Sequence, residues 1–309
     1  MPEVNAHVRF PPTLAGSFSV LLLAAALAAC TSGPEPVPYS GLIAASEFVV
    51  GENRFPFGLV SREGEFLEGA DVTVRFYSLR EDDPLLLTEE PSVWRTVEGV
   101  TPHLHDDGST HQHLDFQGVY VVDSVMIPHE GIWGAEFIVR GEYAGGISLE
   151  GAAFHVAATA TAPAVGDRVP ATTNLTIHDV DSFAELSTRS VEDDMHNVSV
   201  ASALEIGEPF VVFFASPQFC VSAMCGPVTD TMDQAHQQAG PGVEFIHIEP
   251  WDLSAAREEG RLVPAPVMQE WRLPTEPWTF VVHADGRVAM RFEGLVTVDE
   301  VLAALAFQG

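Results

Sequence analysis

PFVVFFASPQFCVSAMCGPV, residues 209–228, joins a continuous apolar run to two cysteines, Cys220 and Cys225. The run from Pro209 to Ala215 is β-branched and aromatic, has the length of a buried strand and stops at Ser216-Pro217. The first cysteine therefore emerges where a strand hands over to a helix. Such a position exposes a sulfur to the positive end of a helix dipole and favours thiolate over thiol. Four residues separate the cysteines, and five positions along a regular helix rotate a side chain by about 140°. Cys225 is thus expected to face away from Cys220 unless the first turn is irregular, for which Gly226-Pro227 supplies a reason.

The chain has one further cysteine, Cys30. Residues 18–29, FSVLLLAAALAA, are apolar but too short to span a bilayer, and small residues precede the cysteine, which is how a cleaved export segment reads. Leu27-Ala28-Ala29-Cys30 resembles a bacterial lipobox, although Arg9 is the only basic residue before it. The resemblance implies cleavage of residues 1–29, lipid attachment at Cys30 and a body tethered to a bacterial membrane on its extracytoplasmic side. An ordinary signal peptide with a coincidental cysteine is the alternative. Residues 30–40, rich in proline and small side chains, are expected to be an extended tether.

The 309 residues include 14 basic side chains, all arginine, against 44 acidic ones, for a formal charge of -30. Phosphate backbones repel such a chain, so nucleic acid is not an expected partner. Without lysine, Schiff-base and lysine-nucleophile chemistry are excluded. A hydrophobic content of 46% is enough to fill real cores.

Residues 41–160 read as an all-β domain. Segments 70–77 and 133–139 alternate, 118–122 lies between them, and glycine-rich turns separate the three, suggesting a sandwich. GVYVVDSVMIPHEGIWGAEFIV, residues 118–139, resembles the closing half of bacterial immunoglobulin-like modules, where a G-x-Y strand pairs with a G-x-W strand. This resemblance implies a fold and no activity.

Within it, His103, His105, His111 and His113 flank Asp107-Gly108 as two His-x-His pairs. On paired strands the four imidazoles would converge, a set suited to copper or zinc, with Asp106 or Asp107 adding oxygen. An exposed polar loop fits the same residues. His129 and His155 are isolated and read as structural.

From residue 163 strands and helices alternate. Helical spacing is expected over 198–206, 226–239, 267–271 and 298–307, and strands over 209–215, 243–249, 278–283 and 288–292, the last two paired around Asp285-Gly286. With Glu276-Pro277-Trp278 placed before a core strand, this order resembles the thioredoxin-like family over roughly residues 165–306. The expected fold is thus two domains, an immunoglobulin-like sandwich and, over 163–309, an α/β thioredoxin-like domain.

The resemblance implies that Pro277 is a cis-proline beside the dithiol, that Cys220 is the nucleophile and that Cys225 resolves the mixed disulfide. Protein thiols or disulfides would be the partners and no cofactor would be required. Thioredoxins and Sco-type copper chaperones both carry fewer residues between their cysteines. In peroxiredoxins with this longer spacing, a threonine stands where this chain has Pro217. A Sco-like site would also need a histidine before the cis-proline, and residues 272–276 contain none.

Glu276, implied to face the sulfurs, is expected to raise the Cys220 pKa and make the couple reducing; turned to solvent, it would have no effect. Three classes stay open: a thiol-disulfide oxidoreductase, a copper-binding assembly factor, and a binding module whose cysteines form a structural staple.

Overall fold

The computed structural model describes residues 39–80, 83–97, 103–104, 110–111, 117–141, 147–148, 151–222 and 224–307. The N-terminal half is built of β1 (Tyr39–Ile43), β2 (Phe48–Val49), β3 (Gly51–Ser61), β4 (Asp71–Ser78), β5 (Leu85–Pro91), β6 (Val93–Thr96), β7 (His103–Leu104), β8 (Thr110–His111), β9 (Gly118–Ile127), β10 (Gly131–Arg140), β11 (Ile147–Ser148) and β12 (Ala152–Ala157). One sheet runs β1-β3-β9-β6 and a second β2-β12-β10-β4-β5, with β11 pairing β10. Tyr39 and Ser40, placed in the tether by the sequence pattern, belong to β1 and pair with Ser61 and Val60.

The two sheets face each other across aromatic side chains. Phe57 of one sheet packs on Phe137 of the other at 4.7 Å between ring centroids, and Phe55 meets Phe76 edge-on at 4.9 Å. The G-x-Y pattern has a local cause. A side chain at Gly118 would place its Cβ 2.3 Å from the Arg95 carbonyl oxygen and 2.7 Å from the Trp94 ring. Two residues on, the Tyr120 hydroxyl donates to the Leu67 carbonyl and accepts from the Ala70 N–H, both at 2.9 Å. Trp133 of the G-x-W strand donates its indole N–H to the His129 carbonyl, and the His129 ring lies against it, which gives His129 the structural role expected.

The C-terminal half contains α1 (Val200–Ile206), β13 (Phe210–Phe214), α2 (Cys225–Ala239), β14 (Glu244–Ile248), α3 (Leu253–Glu259), α4 (Pro266–Glu270), β15 (Trp278–Val282), β16 (Val288–Glu293) and α5 (Val298–Ala306). Its sheet has the order β14-β13-β15-β16, with β13 parallel to β14 and antiparallel to β15. The β-α-β-α-β-β-α order expected from the sequence is present, with the helical stretch between β14 and β15 divided into α3 and α4. Every residue of β13 and β15 is buried, as continuous apolar strands require.

Val37–Gly309 form one compact unit. Strand β9 shows how the halves join. Tyr120 and Val122 enter the sandwich core, while Val119 and Val121, on the opposite face, join a cluster with Val211, Val228 and Val301. Polar ties surround that contact: Arg54 meets Glu300 at 2.8 Å, Arg95 also pairs with Glu300, and Arg291 pairs with Glu47. Glu47 further accepts from the Thr161 N–H at 2.6 Å, fixing the segment that connects the halves.

Candidate functional site

Strand β13 ends at Phe214, and residues 217–222 turn outside any helix before α2 begins at Cys225. Cys220 is therefore not on the helix at all, so the rotation expected of a regular helix does not separate the two cysteines. The cap residue of α2, Met224, offers no side-chain acceptor. Instead, the Cys225 N–H donates to the Cys220 sulfur at 3.1 Å. The sulfur occupies the place of a capping oxygen and meets one of the unpaired donors that every helix N-terminus presents.

The pair is strongly asymmetric. Cys220 is half-buried and Cys225 is fully buried; neither is in a disulfide. The Cys225 thiol, donating to Cys220, is the largest influence on that sulfur; burial opposes it, and the Ser222 hydroxyl and Cys225 N–H reinforce it. The result is a Cys220 thiol lowered from 9.0 to about 7. Burial pushes the Cys225 thiol in the opposite direction, far above its ordinary value, and the neighbouring Cys220 adds to the rise. One sulfur is thus prepared as a thiolate and the other is held as a thiol.

Glu276 faces the pair from the loop before β15. Its side chain is 6% exposed and accepts the Val221 N–H at 2.7 Å, while its backbone carbonyl accepts from the Ser222 hydroxyl at 3.2 Å. The two sulfurs and a Glu276 carboxylate oxygen lie within 4.8 Å of one another. The Glu276-Pro277 peptide is cis. Glu276 raises the Cys220 pKa, the direction expected, but it is the smallest of the influences named and the net shift is downward. Donors outnumber the single carboxylate at this sulfur.

The loop is braced from behind. Glu249, buried at the end of β14, accepts from the Thr188 N–H and hydroxyl at 2.6 and 2.7 Å, and the same hydroxyl accepts the Gln218 N–H at 3.3 Å. Burial raises the Glu249 pKa. Glu249 also lines a cavity of about 660 Å³ with His196, His247 and Trp251, a feature the sequence pattern did not single out. Its walls come from segments distant in sequence, so no local motif marks it. His247 is a packing residue, stacked on Phe213 at 4.7 Å and bonded to the Ala215 carbonyl at 2.8 Å.

Of the four clustered histidines, His103 and His111 are register partners in the β7–β8 pair. His105 and His113 lie outside the described residues, as does the expected lipidation residue Cys30 with its leader. Among the described residues no helix is long and apolar enough to cross a membrane.

No family model matches the chain, and no curated protein matches it. Among solved structures, a thioredoxin-family thiol:disulfide interchange protein from Chlorobium tepidum TLS is similar at 17% identity, over 47% of this chain and 97% of that chain, with a TM-score of 0.32. A CARDB domain from Pyrococcus furiosus, solved in complex with di-metal ions, is similar at 12% identity over 40% of this chain and 86% of that one, with a TM-score of 0.19. A chain from a structure of T cell specificity and activation by the bacterial superantigen toxic shock syndrome toxin-1 is similar at 10% identity over 38% of this chain and 98% of that one, with a TM-score of 0.20.

Proposed function

We propose that this chain is a thiol-disulfide oxidoreductase of thioredoxin-like type, exported and held at the outer side of a bacterial membrane by a lipid on Cys30. The observation that carries the redox reading is the Cys225 N–H on the Cys220 sulfur, which sets a helix N-terminus against a half-exposed thiolate with a buried thiol behind it. The loop before β15 lies beside the pair, with Glu276 accepting the Val221 N–H and its carboxylate within 4.8 Å of both sulfurs. The lipobox-like run ending at Cys30 supports the anchor.

In the oxidising direction for the protein, the Cys220 thiolate attacks one sulfur of a partner disulfide, forms a mixed disulfide and releases the other sulfur as a thiolate. Cys225 then loses its proton, attacks Cys220 and releases the second partner thiolate, leaving an intramolecular disulfide. Two electrons pass from the two protein sulfurs to the partner. The reverse sequence oxidises a partner dithiol.

The test is trapping. Cys225→Ser should accumulate mixed disulfides through Cys220, whereas Cys220→Ser should accumulate none. A wild-type disulfide that mild reductant leaves intact in the folded protein would instead mark a structural staple. For the anchor, wild-type protein should partition with membranes, and Cys30→Ser should block processing or release it.

A further inference from the structure

Three groups that ligate metals as anions converge in the site: the sulfurs of Cys220 and Cys225 and a carboxylate oxygen of Glu276, all within 4.8 Å of one another. Two of the three are buried, with Cys225 inaccessible and Glu276 only 6% exposed. The chain has no lysine, and the partner found for the Glu276 carboxylate is an uncharged backbone N–H. A buried carboxylate beside two sulfurs, with no cation paired to it among the described residues, is an expensive arrangement for a simple dithiol.

We propose that the reduced protein binds one zinc-class divalent cation through Cys220 Sγ, Cys225 Sγ and Glu276, and that forming the disulfide expels it. This rests on the proposed function only in requiring that the dithiol open and close. The donor set selects the ion. Two thiolates suit a soft or borderline metal, and the added carboxylate favours a divalent borderline ion such as zinc over monovalent copper, which two sulfurs alone satisfy. Zinc ligands sit about 2.0–2.3 Å from the ion, so donors already within 4.8 Å of one another need little movement to share one. Half-exposed Cys220 is the side from which the ion arrives, and a fourth position is left to water or a partner group.

The chemistry balances. Binding replaces the protons remaining on the two thiols with the cation. A partner disulfide then accepts two electrons from the bound dithiolate and takes up two protons, giving two partner thiols, the protein disulfide and the free cation.

The test uses the full chain, reduced under anaerobic conditions and titrated with cobalt(II) as a spectroscopic stand-in for zinc. One ion per chain should bind, with a thiolate-to-cobalt charge-transfer band, and oxidised protein should give none. Zinc should displace the cobalt. Glu276→Gln should weaken binding at least tenfold and alter the cobalt spectrum, and Cys225→Ser should abolish the two-thiolate signature.

A reduced wild-type protein that gives no charge-transfer band overturns the proposal without needing any variant to fold. So does Glu276→Gln with unchanged affinity and spectrum, or binding lost on replacing His103 and His111 but kept in the cysteine variants. A reduction potential measured in metal-free buffer separates the readings. A dithiol that cycles there but binds no cobalt defeats only the metal site, whereas one that cannot be reduced defeats the exchange function as well.

Discussion

The backbone N–H of Cys225 donates to the Cys220 sulfur at 3.1 Å, although four residues lie between the two cysteines. The geometry makes one sulfur the cap of the helix that carries the other. Alkylation of Cys220 should therefore level off above about pH 7 and fall with the thiolate fraction below it. Cys225→Ala keeps the N–H but removes the thiol that most stabilises the Cys220 anion. Its midpoint should move upward from about 7 toward 9.0, as read from ultraviolet thiolate absorbance. An unmoved midpoint would show that the thiol contributes nothing.

Glu276 supplies the opposite influence. Its charge raises the Cys220 pKa, so Glu276→Gln should lower the midpoint in metal-free buffer, by less than Cys225→Ala raises it. A better-stabilised thiolate favours the reduced form, so the reduction potential should become less negative. Redox equilibration with glutathione alongside the titration checks both. A rise in pKa on removing the carboxylate would contradict the assigned direction.

These features differ in how far sequence alone reveals them. Strand β13, helix α2 and the Asp285-Gly286 hairpin are local: each follows from an apolar period and a turn residue, and Gly286 takes the positive φ, 80°, that such a turn needs. Pro277 was placed by its neighbours in a resembling order, and its peptide is cis. The approach of Cys225 to Cys220 was not readable in this way, because it depends on residues 217–222 leaving the helical path, which no periodicity encodes. Strand β3 was hidden by Pro56, unusual in a strand with neighbours on both sides. The burial of the second face of β9 draws on residues far away in sequence, since Val119 and Val121 share a cluster with Val211, Val228 and Val301.

Gly118 and Tyr120 test the sandwich. Gly118→Ala drives a methyl group into the Arg95 carbonyl oxygen, a backbone atom that cannot turn aside, and should cost about 3 kcal/mol. Tyr120→Phe keeps the ring stacked on Phe57 but loses both hydroxyl bonds and leaves the Ala70 N–H without its acceptor, for about 1–2 kcal/mol. Urea midpoints at constant slope check the pair. Equal, negligible effects would mean the G-x-Y pattern has no structural role.

Glu300 carries the polar contact between the halves. It closes the capping box of α5 with Thr297 and also meets Arg54 and Arg95. Burial pushes its pKa up, but the two guanidinium charges and the Thr297 N–H outweigh burial and hold it below the ordinary 4.5. A depressed carboxylate contributes its stabilisation fully above the unfolded value, and the contribution disappears as pH falls through the lower folded value. Glutamine can still accept from the cap but leaves Arg54 without its counter-charge and Arg95 with Asp123 alone, so Glu300→Gln should lose about 2 kcal/mol at neutral pH. That deficit should shrink toward zero in acid, where the wild-type carboxyl is protonated too. Urea unfolding of both proteins across the acid range decides it: a deficit that stays constant down through the folded-state pKa would mean that the ion pairs contribute nothing and that the loss comes from packing alone.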